Sequence, residues 1–270
     1  MQKLSMLEDV KNAIAGRPVD TRLVFLSDYD GTLAGFHKDP TIPRPTKETQ
    51  ELLCRLAERD DLSCGIVSGR RIADLRTRTQ LPSRVYLAGL HGLEIEVGTR
   101  RWQHPDLGEA REAVRALNER LEDVRRRVPG LILEDKHASV AVHVRGVAAA
   151  ARADALKEAD ACAAPWVERG ELRRLTGNLV LEFLPNVACH KGDATRWIAD
   201  DVAERCATKP WVVFVGDDVT DEDAFLAIEQ GASVLVGSRP SAATFQLGSL
   251  ADVTTLLAWV AGSHNGGGQP

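Results

Sequence analysis

Residues 23–32 read LVFLSDYDGT. Four apolar residues in a row, then Ser27 and two aspartates flanking a tyrosine, describe a strand buried on both faces that ends in charge. Gly31 permits a sharp turn straight after it. The same grammar continues along the chain. A helix is expected at about 46–59 with Thr46 as its N-cap, then a strand at 62–67, a helix near 71–79 and a strand at 85–89. It returns later as a helix at about 191–206, the strand WVVFVGD at 211–217, a helix at about 221–230, the strand SVLVG at 233–237 and a helix near 249–261. Strands alternating with helices imply an α/β fold with a doubly wound, Rossmann-like parallel sheet.

The middle of the chain follows another pattern. Residues 106–127 make a long charged helix, and LILEDK and SVAVHVR then read as a hairpin-like pair of half-exposed strands. A helix at about 147–164 precedes two further strand runs, ELRRLT and NLVLEFL. Strand pairs with one polar face suit an antiparallel sheet covered on one side by helices. The expected organisation is a discontinuous α/β core, 1–99 and 186–270, with an α+β insertion at 100–185.

Composition excludes several classes. At 270 residues, one large or two modest domains are expected. Hydrophobic residues at 44% and charged residues at 27% fit a soluble globular protein. A formal net charge of -5 gives the whole molecule no attraction for nucleic acid or an anionic membrane, so a phosphorylated ligand needs a local basic group. No apolar run approaches the roughly 20 residues that span a bilayer. The opening MQKLSMLEDVKNAIAG is interrupted by Glu8, Asp9 and Lys11, so it reads as a short amphipathic helix rather than a signal peptide. The five cysteines are odd in number and form no CxxC pair, which suits reduced thiols in a cytoplasmic protein. The segment from Gly262 onward, ending NGGGQP, reads as disordered. The sequence leaves the oligomeric state open, with a monomer favoured.

Three segments carry chemistry: DYDGT at 28–32, SGR at 68–70 and GDDVTDED at 216–223. Each begins at or just after the C-terminal end of an expected core strand, where open α/β sheets bind ligands. Carboxylates crowded there repel one another unless a cation neutralises them. A hard, oxygen-preferring Mg²⁺ suits them, because a few carboxylates, waters and a substrate phosphate complete its shell. Asp28 is then a candidate nucleophile that takes up a phosphoryl group. Asp30 is a candidate acid and base, giving a proton to the leaving oxygen and later taking one from water. Ser68 can donate to a phosphoryl oxygen, and Lys191 can balance charge between that group and Asp28. Asp28, Asp30, Asp217 and Asp218 are the candidate metal ligands, with Asp221 orienting the metal's waters. Taken singly, each motif has a plainer reading: DxD as a turn, the acidic run as a solvated helix start, and Lys191 as a surface lysine. Their shared position at one sheet edge favours the chemical reading.

The order DYDGT, SGR, a lysine and GDDVTDED resembles the haloacid-dehalogenase superfamily of phosphatases. DYDGTLAGFHKDPTIPRPT, SGRRIADL, LAGLHGLEIE, KHASVAVHVR, VLEFLPNVACHKGDA, FVGDDVTDEDAF and VGSRPSAATFQL are similar to the trehalose-6-phosphate phosphatase family, over about Leu23 to Leu257. That resemblance implies an α/β core with an inserted α+β cap, Mg²⁺ dependence and hydrolysis of trehalose 6-phosphate. It also implies substrate contacts from Arg70, His91, Gly92, Lys136, His143, Arg145 and Glu182. Leu90 and Leu184 depart from common family usage. Periodicity by itself sets Val140, Val142 and Val144 on one strand face and Ser139, His143 and Arg145 on the other, with Glu182 alternating against Leu181 and Phe183. By periodicity alone that polar face reads first as solvent-facing, and the resemblance reverses the preference; His91 could equally be a structural loop histidine. Other readings are a phosphatase for another glycosyl or pseudodisaccharide phosphate, a phosphotransferase, and a binding module that has lost catalysis.

Overall fold

In this computed structural model, residues 7–37, 39, 42–135 and 139–262 are described. In chain order they form α1 (Leu7–Ala15), β1 (Thr21–Ser27), α2 (Lys47–Glu58), β2 (Leu62–Val67), α3 (Ile72–Thr79), β3 (Tyr86–Gly89), β4 (Glu94–Val97) and β5 (Arg100–Gln103). Next come α4 (Leu107–Arg127), β6 (Ile132–Asp135), β7 (Val140–His143), α5 (Arg152–Glu168), β8 (Leu172–Gly177) and β9 (Val180–Pro185). The last are α6 (Lys191–Cys206), β10 (Lys209–Gly216), α7 (Glu222–Ala227), β11 (Gly231–Val236), β12 (Phe245–Leu247) and α8 (Leu250–Gly262). They fall into two compact units, one from within Met1–Phe36, Pro43–Trp102 and Cys189–Pro270, the other from within His37–Ile42 and Gln103–Ala188.

The first unit holds an eight-stranded sheet in the order β12-β11-β10-β1-β2-β3-β4-β5. From β12 to β3 every pairing is parallel, and β4 turns back antiparallel on β3. The chain winds outward from β1 through β2 and β3, then from β10 through β11 and β12 on the other side. The reversal therefore lies between β1 and β10, the position at which such sheets open a crevice for ligands. Strand β1 is apolar from Leu23 to Leu26, where both its faces are covered. Leu23 and Phe25 pack with residues of α1, α2 and α8. Val24 and Leu26 pack on the other side with Ile198 and Val202 of α6 and Phe225 of α7. Thr46 caps α2 as its sequence predicts, its hydroxyl accepting from the Thr49 N–H at 3.1 Å.

The second unit is a four-stranded antiparallel sheet in the order β6-β7-β9-β8. One face carries Val140, Val142, Leu181 and Phe183, packed on Val114, Leu117 and Leu121 of α4 and Ala155 and Ala159 of α5. The register places Glu134, Ala141, Glu182 and Leu175 in one row across the opposite face.

Several short elements escape the sequence reading. Strands β4 and β5, of four residues each, and β12, of three, are too brief for a periodic signal and exist because a neighbouring strand supplies their hydrogen bonds. Helix α5 begins at Arg152 rather than near 147, because Arg152 donates back to the Val147 carbonyl at 2.9 Å and fixes a separate turn there. The amphipathic N-terminal helix is present as α1. The C-terminal segment expected to be disordered falls, from residue 263, outside the described residues. All five cysteines are free thiols, and among the described residues no helix is long and apolar enough to cross a membrane.

Candidate active site

The register between β1, β10 and β2 decides what meets at the switch point. Ser27 pairs with Val215 on one side and with Ile66 on the other, so Asp28, Asp217 and Ser68 emerge at one edge. The Asp28 N–H donates to the Val215 carbonyl at 2.8 Å, which ties the first loop to the end of β10. Gly31 has φ of +80°, and a Cβ there would collide with the Asp217 carboxylate. The glycine therefore both turns the chain and lets that carboxylate approach. Thr32 Oγ1 donates to Asp217 Oδ1 at 3.2 Å.

Lys191, the first residue of α6, is buried with its Nζ 2.9 Å from Asp28 Oδ1 and 2.7 Å from Asp221 Oδ1. Asp221 is fully buried and its Oδ2 also accepts from the Asp218 N–H at 2.9 Å. Asp28, Asp217 and Asp221 each offer an oxygen within 4.8 Å of the others. Two of these three carboxylates, Asp28 and Asp221, thus share one ammonium. Burial pushes the Asp28 carboxyl well above its usual range; Lys191 pulls it down, and Asp221 and Asp217 push it up again. Asp217 is pushed up to about 7, first by burial and then by repulsion from Asp221. Burial works against the Lys191 charge, yet Asp221 and Asp28 hold the ammonium protonated far above its ordinary value. An all-oxygen set with excess negative charge, two of whose carboxyls, Asp28 and Asp217, are pushed upward, suits a hard divalent cation, which would displace those protons.

Asp30 turns its carboxylate elsewhere. It forms a two-point pair with Arg70, Nε to Oδ2 and Nη2 to Oδ1, both at 2.7 Å. Arg70 is itself buried, donates to Asp74 at 3.0 Å and lies 5.3 Å from the centre of the Tyr29 ring. The general-acid candidate is thus held by a guanidinium that cannot rotate without breaking several contacts. Ser68 is buried; its hydroxyl accepts from the Arg70 N–H at 3.1 Å, and its carbonyl accepts from the His91 N–H at 3.0 Å. His91 adopts a left-handed conformation, φ 60°, and its ring packs where a Cβ on Gly69 would come within 2.7 Å. Gly92 follows with φ of +112°.

The structure brings Asp28, Lys191, Asp217 and Asp221 into one group. Sequence reasoning gave Asp221 the role of orienting metal-bound water, whereas its carboxylate joins the group itself. Asp218, counted among the ligands, is exposed and accepts from the Val219 N–H at 2.7 Å. The carboxylate of Asp30, also counted there, is engaged by Arg70. Thr32 and Asp74, which the sequence reading did not single out, lie inside the motifs it quoted. In the second unit, His143 Nε2 is 2.9 Å from Glu134 Oε2, and Glu182 accepts from Ser139 Oγ at 2.7 Å in a buried position. Arg145 donates to the Asn178 carbonyl at 3.3 Å. Lys136 lies outside the described residues.

A family model described as trehalose-phosphatase matches residues 26–249. The chain is 34% identical over 265 residues to a trehalose-phosphate phosphatase of Mycobacterium marinum, covering 93% of this chain and 65% of that protein. It is 35% identical over 265 residues to the enzyme of the same description from Mycobacterium ulcerans, with the same coverage of 93% and 65%. The chain therefore spans about 65% of the length of the curated relatives it matches. Among solved structures, the C-terminal domain of a trehalose-6-phosphate phosphatase from C. albicans superposes with a TM-score of 0.78 at 20% identity, covering 95% of this chain and 96% of that one. A trehalose-6-phosphate phosphatase related protein gives 0.73 at 21% identity, covering 88% and 96%. At those identities the superpositions speak to the fold.

Proposed function

The chain belongs to the trehalose-phosphatase family, and on that premise we propose that it hydrolyses trehalose 6-phosphate to trehalose and phosphate. The observation that carries the chemistry is the buried Asp28 carboxylate held 2.9 Å from Lys191 at the switch point of the sheet. An Asp28 oxygen attacks phosphorus, the bond from phosphorus to the sugar oxygen breaks, and Asp30, once it has taken up a proton and yielded one of its two bonds from Arg70, gives that oxygen its proton. Water then attacks the phosphorus of the aspartyl-phosphate, its proton passes to Asp30, and Asp28 is released as a carboxylate. Ser68 donates to a phosphoryl oxygen, and Lys191 works against burial in favour of the ionised Asp28 and offsets the charge that the phosphoryl group brings.

Asp28, Asp217 and Asp221 are the side chains that would hold Mg²⁺, with Asp218 and the main chain of this loop at its margin. When bound, Mg²⁺ would neutralise phosphoryl charge and the mutual repulsion of the three carboxylates. In this reading the unit drawn mainly from Gln103–Ala188 serves as the cap that selects the sugar. Its polar face, with Glu182, His143 and Arg145, offers the acceptors and donors that a disaccharide's hydroxyls require, and Lys136 belongs to the same proposed set. Arg70, by contrast, is better read as holding Asp30 than as a sugar contact, since its guanidinium is already engaged by Asp30 and Asp74.

The test is phosphate release from a panel of sugar phosphates with Mg²⁺, repeated after chelation. Trehalose 6-phosphate should be the best substrate, and turnover should stop on chelation and return with Mg²⁺. Ca²⁺ should restore little, because its longer bonds and larger shell misplace Asp28 relative to phosphorus. Good turnover of another glycosyl phosphate with none of trehalose 6-phosphate would reject the substrate and spare the chemistry. Full activity after exhaustive chelation would reject the cation.

A further inference from the structure

The run VGSRPSAATFQL carries an arginine that the roles above leave unused. Arg239, in the loop after β11, turns its guanidinium onto the main chain of the acidic loop. Its Nε donates to the Asp217 carbonyl at 2.9 Å and its Nη2 to the Asp218 carbonyl at 2.5 Å. Its Nη1 donates to the Pro240 carbonyl at 2.9 Å and forms an ion pair with Glu222, the first residue of α7. Glu222 in turn accepts from Ser241 Oγ at 2.8 Å and from the Ala242 N–H at 2.7 Å. The loop at 239–242 and the start of α7 therefore lock one another, and the guanidinium sits between them.

The consequence for the site lies in the peptide planes. Two consecutive carbonyls, of Asp217 and Asp218, are pinned to one rigid fork. The intervening N–H, of Asp218, is pinned by Asp221 Oδ2 at 2.9 Å. With these peptides pinned, the direction in which Asp217 leaves the main chain is fixed, and its remaining side-chain rotation is limited by the bond from Thr32 Oγ1 at 3.2 Å and by the close approach to Gly31. Four of the guanidinium's five N–H groups are used within the protein, so it is poorly placed to serve as a substrate clamp.

The geometry points to Arg239 as a positioning residue for the cation site: it holds Asp217 facing Asp28 and Asp221 before any cation arrives, so that binding does not have to gather the ligands. This assignment rests on the reading that a divalent cation sits among those three carboxylates.

The experiment is a titration of the substrate-free protein with Mn²⁺, followed by electron paramagnetic resonance and by calorimetry. Wild type is compared with Arg239→Met, Arg239→Lys and Glu222→Gln, with folding checked by circular dichroism in EDTA. Arg239→Met should weaken Mn²⁺ at least about tenfold, through lost preorganisation. Arg239→Lys and Glu222→Gln should weaken it less, each retaining part of the lock. At saturating cation, the KM for the sugar phosphate should stay within about twofold of wild type, since the substrate is not what Arg239 holds. Unchanged Mn²⁺ affinity in a folded Arg239→Met protein overturns the assignment. A raised KM with unchanged Mn²⁺ affinity overturns it in favour of a substrate contact. Should Arg239→Met fail to fold, unchanged affinity in both milder variants overturns it equally. Failure of the wild type to bind Mn²⁺ would instead remove the cation site itself.

Discussion

Stripping divalent cations from this protein and raising the pH from about 5 to about 8 should destabilise it, and Mg²⁺ should abolish the effect. The reasoning starts from Asp217, whose carboxyl is pushed from its ordinary 3.8 to about 7 by burial and by Asp221. Between those two values the folded chain holds a proton that the unfolded chain has released. Stability therefore falls as pH rises through this window and levels off once Asp217 is ionised in both states. Each decade of pH is worth about 1.4 kcal/mol per proton, so three decades set a ceiling of about 4 kcal/mol for Asp217, of which about 3 kcal/mol falls above pH 5. Asp28, also raised by burial, acts in the same direction. A cation that binds the ionised carboxylates of the folded state replaces the lost proton, contributing about 2.7 kcal/mol at a hundred times its dissociation constant. The assay is urea unfolding at several pH values in EDTA and in Mg²⁺, for wild type and Asp217→Asn. The asparagine carries no proton to lose, so the difference between the two proteins reports Asp217 together with its repulsion of Asp28 and removes the titrating groups that Asp217 does not touch. In EDTA at high pH the variant should be the more stable. Equal pH dependence in wild type and variant, or an undiminished decline in saturating Mg²⁺, refutes the reasoning.

Asp28→Asn should abolish turnover while leaving the unfolding transition cooperative, because the amide keeps the shape and loses the nucleophile; near-wild-type turnover in a clean preparation would remove Asp28 from that role. Arg70→Met should cost roughly tenfold to a hundredfold on a sugar phosphate, through loss of the two-point bond from a charged guanidinium that orients Asp30, worth about 1.5–3 kcal/mol. It should cost much less on p-nitrophenyl phosphate, whose leaving group needs no proton, and equal losses on the two substrates would assign Arg70 elsewhere. Glu182→Ala should lower kcat/KM for trehalose 6-phosphate by roughly 5-fold to 150-fold, from about 1–3 kcal/mol of unpaired hydroxyl, and spare p-nitrophenyl phosphate. Equal losses there would make the bond from Ser139 to Glu182 a matter of folding.

Periodicity and chain order alone carried most of the architecture of this protein. The double burial of Leu23, Val24, Phe25 and Leu26 reads directly as an unbroken apolar run, and the alternation in 139–145 reads as one greasy and one polar strand face. Those signals are local, because side-chain direction repeats every two residues along a strand and every three or four around a helix. The motifs also announced themselves, since strand ends at a switch point are where ligands bind and the strand ends were legible. What no linear pattern contains is the rotation of each carboxylate once the strands are in register. Asp217, Asp218 and Asp221 are chemically identical, and only the packing around Gly31, Lys191 and Arg239 turns Asp217 and Asp221 toward Asp28 and leaves Asp218 at the surface. Likewise, Asp30 and Arg70 are forty positions apart, and they meet because β1 and β2 are parallel neighbours whose ends carry them. Side-chain choice among equals is settled by tertiary contacts, since charge, burial and hydrogen-bond geometry are properties of neighbours in space rather than in sequence.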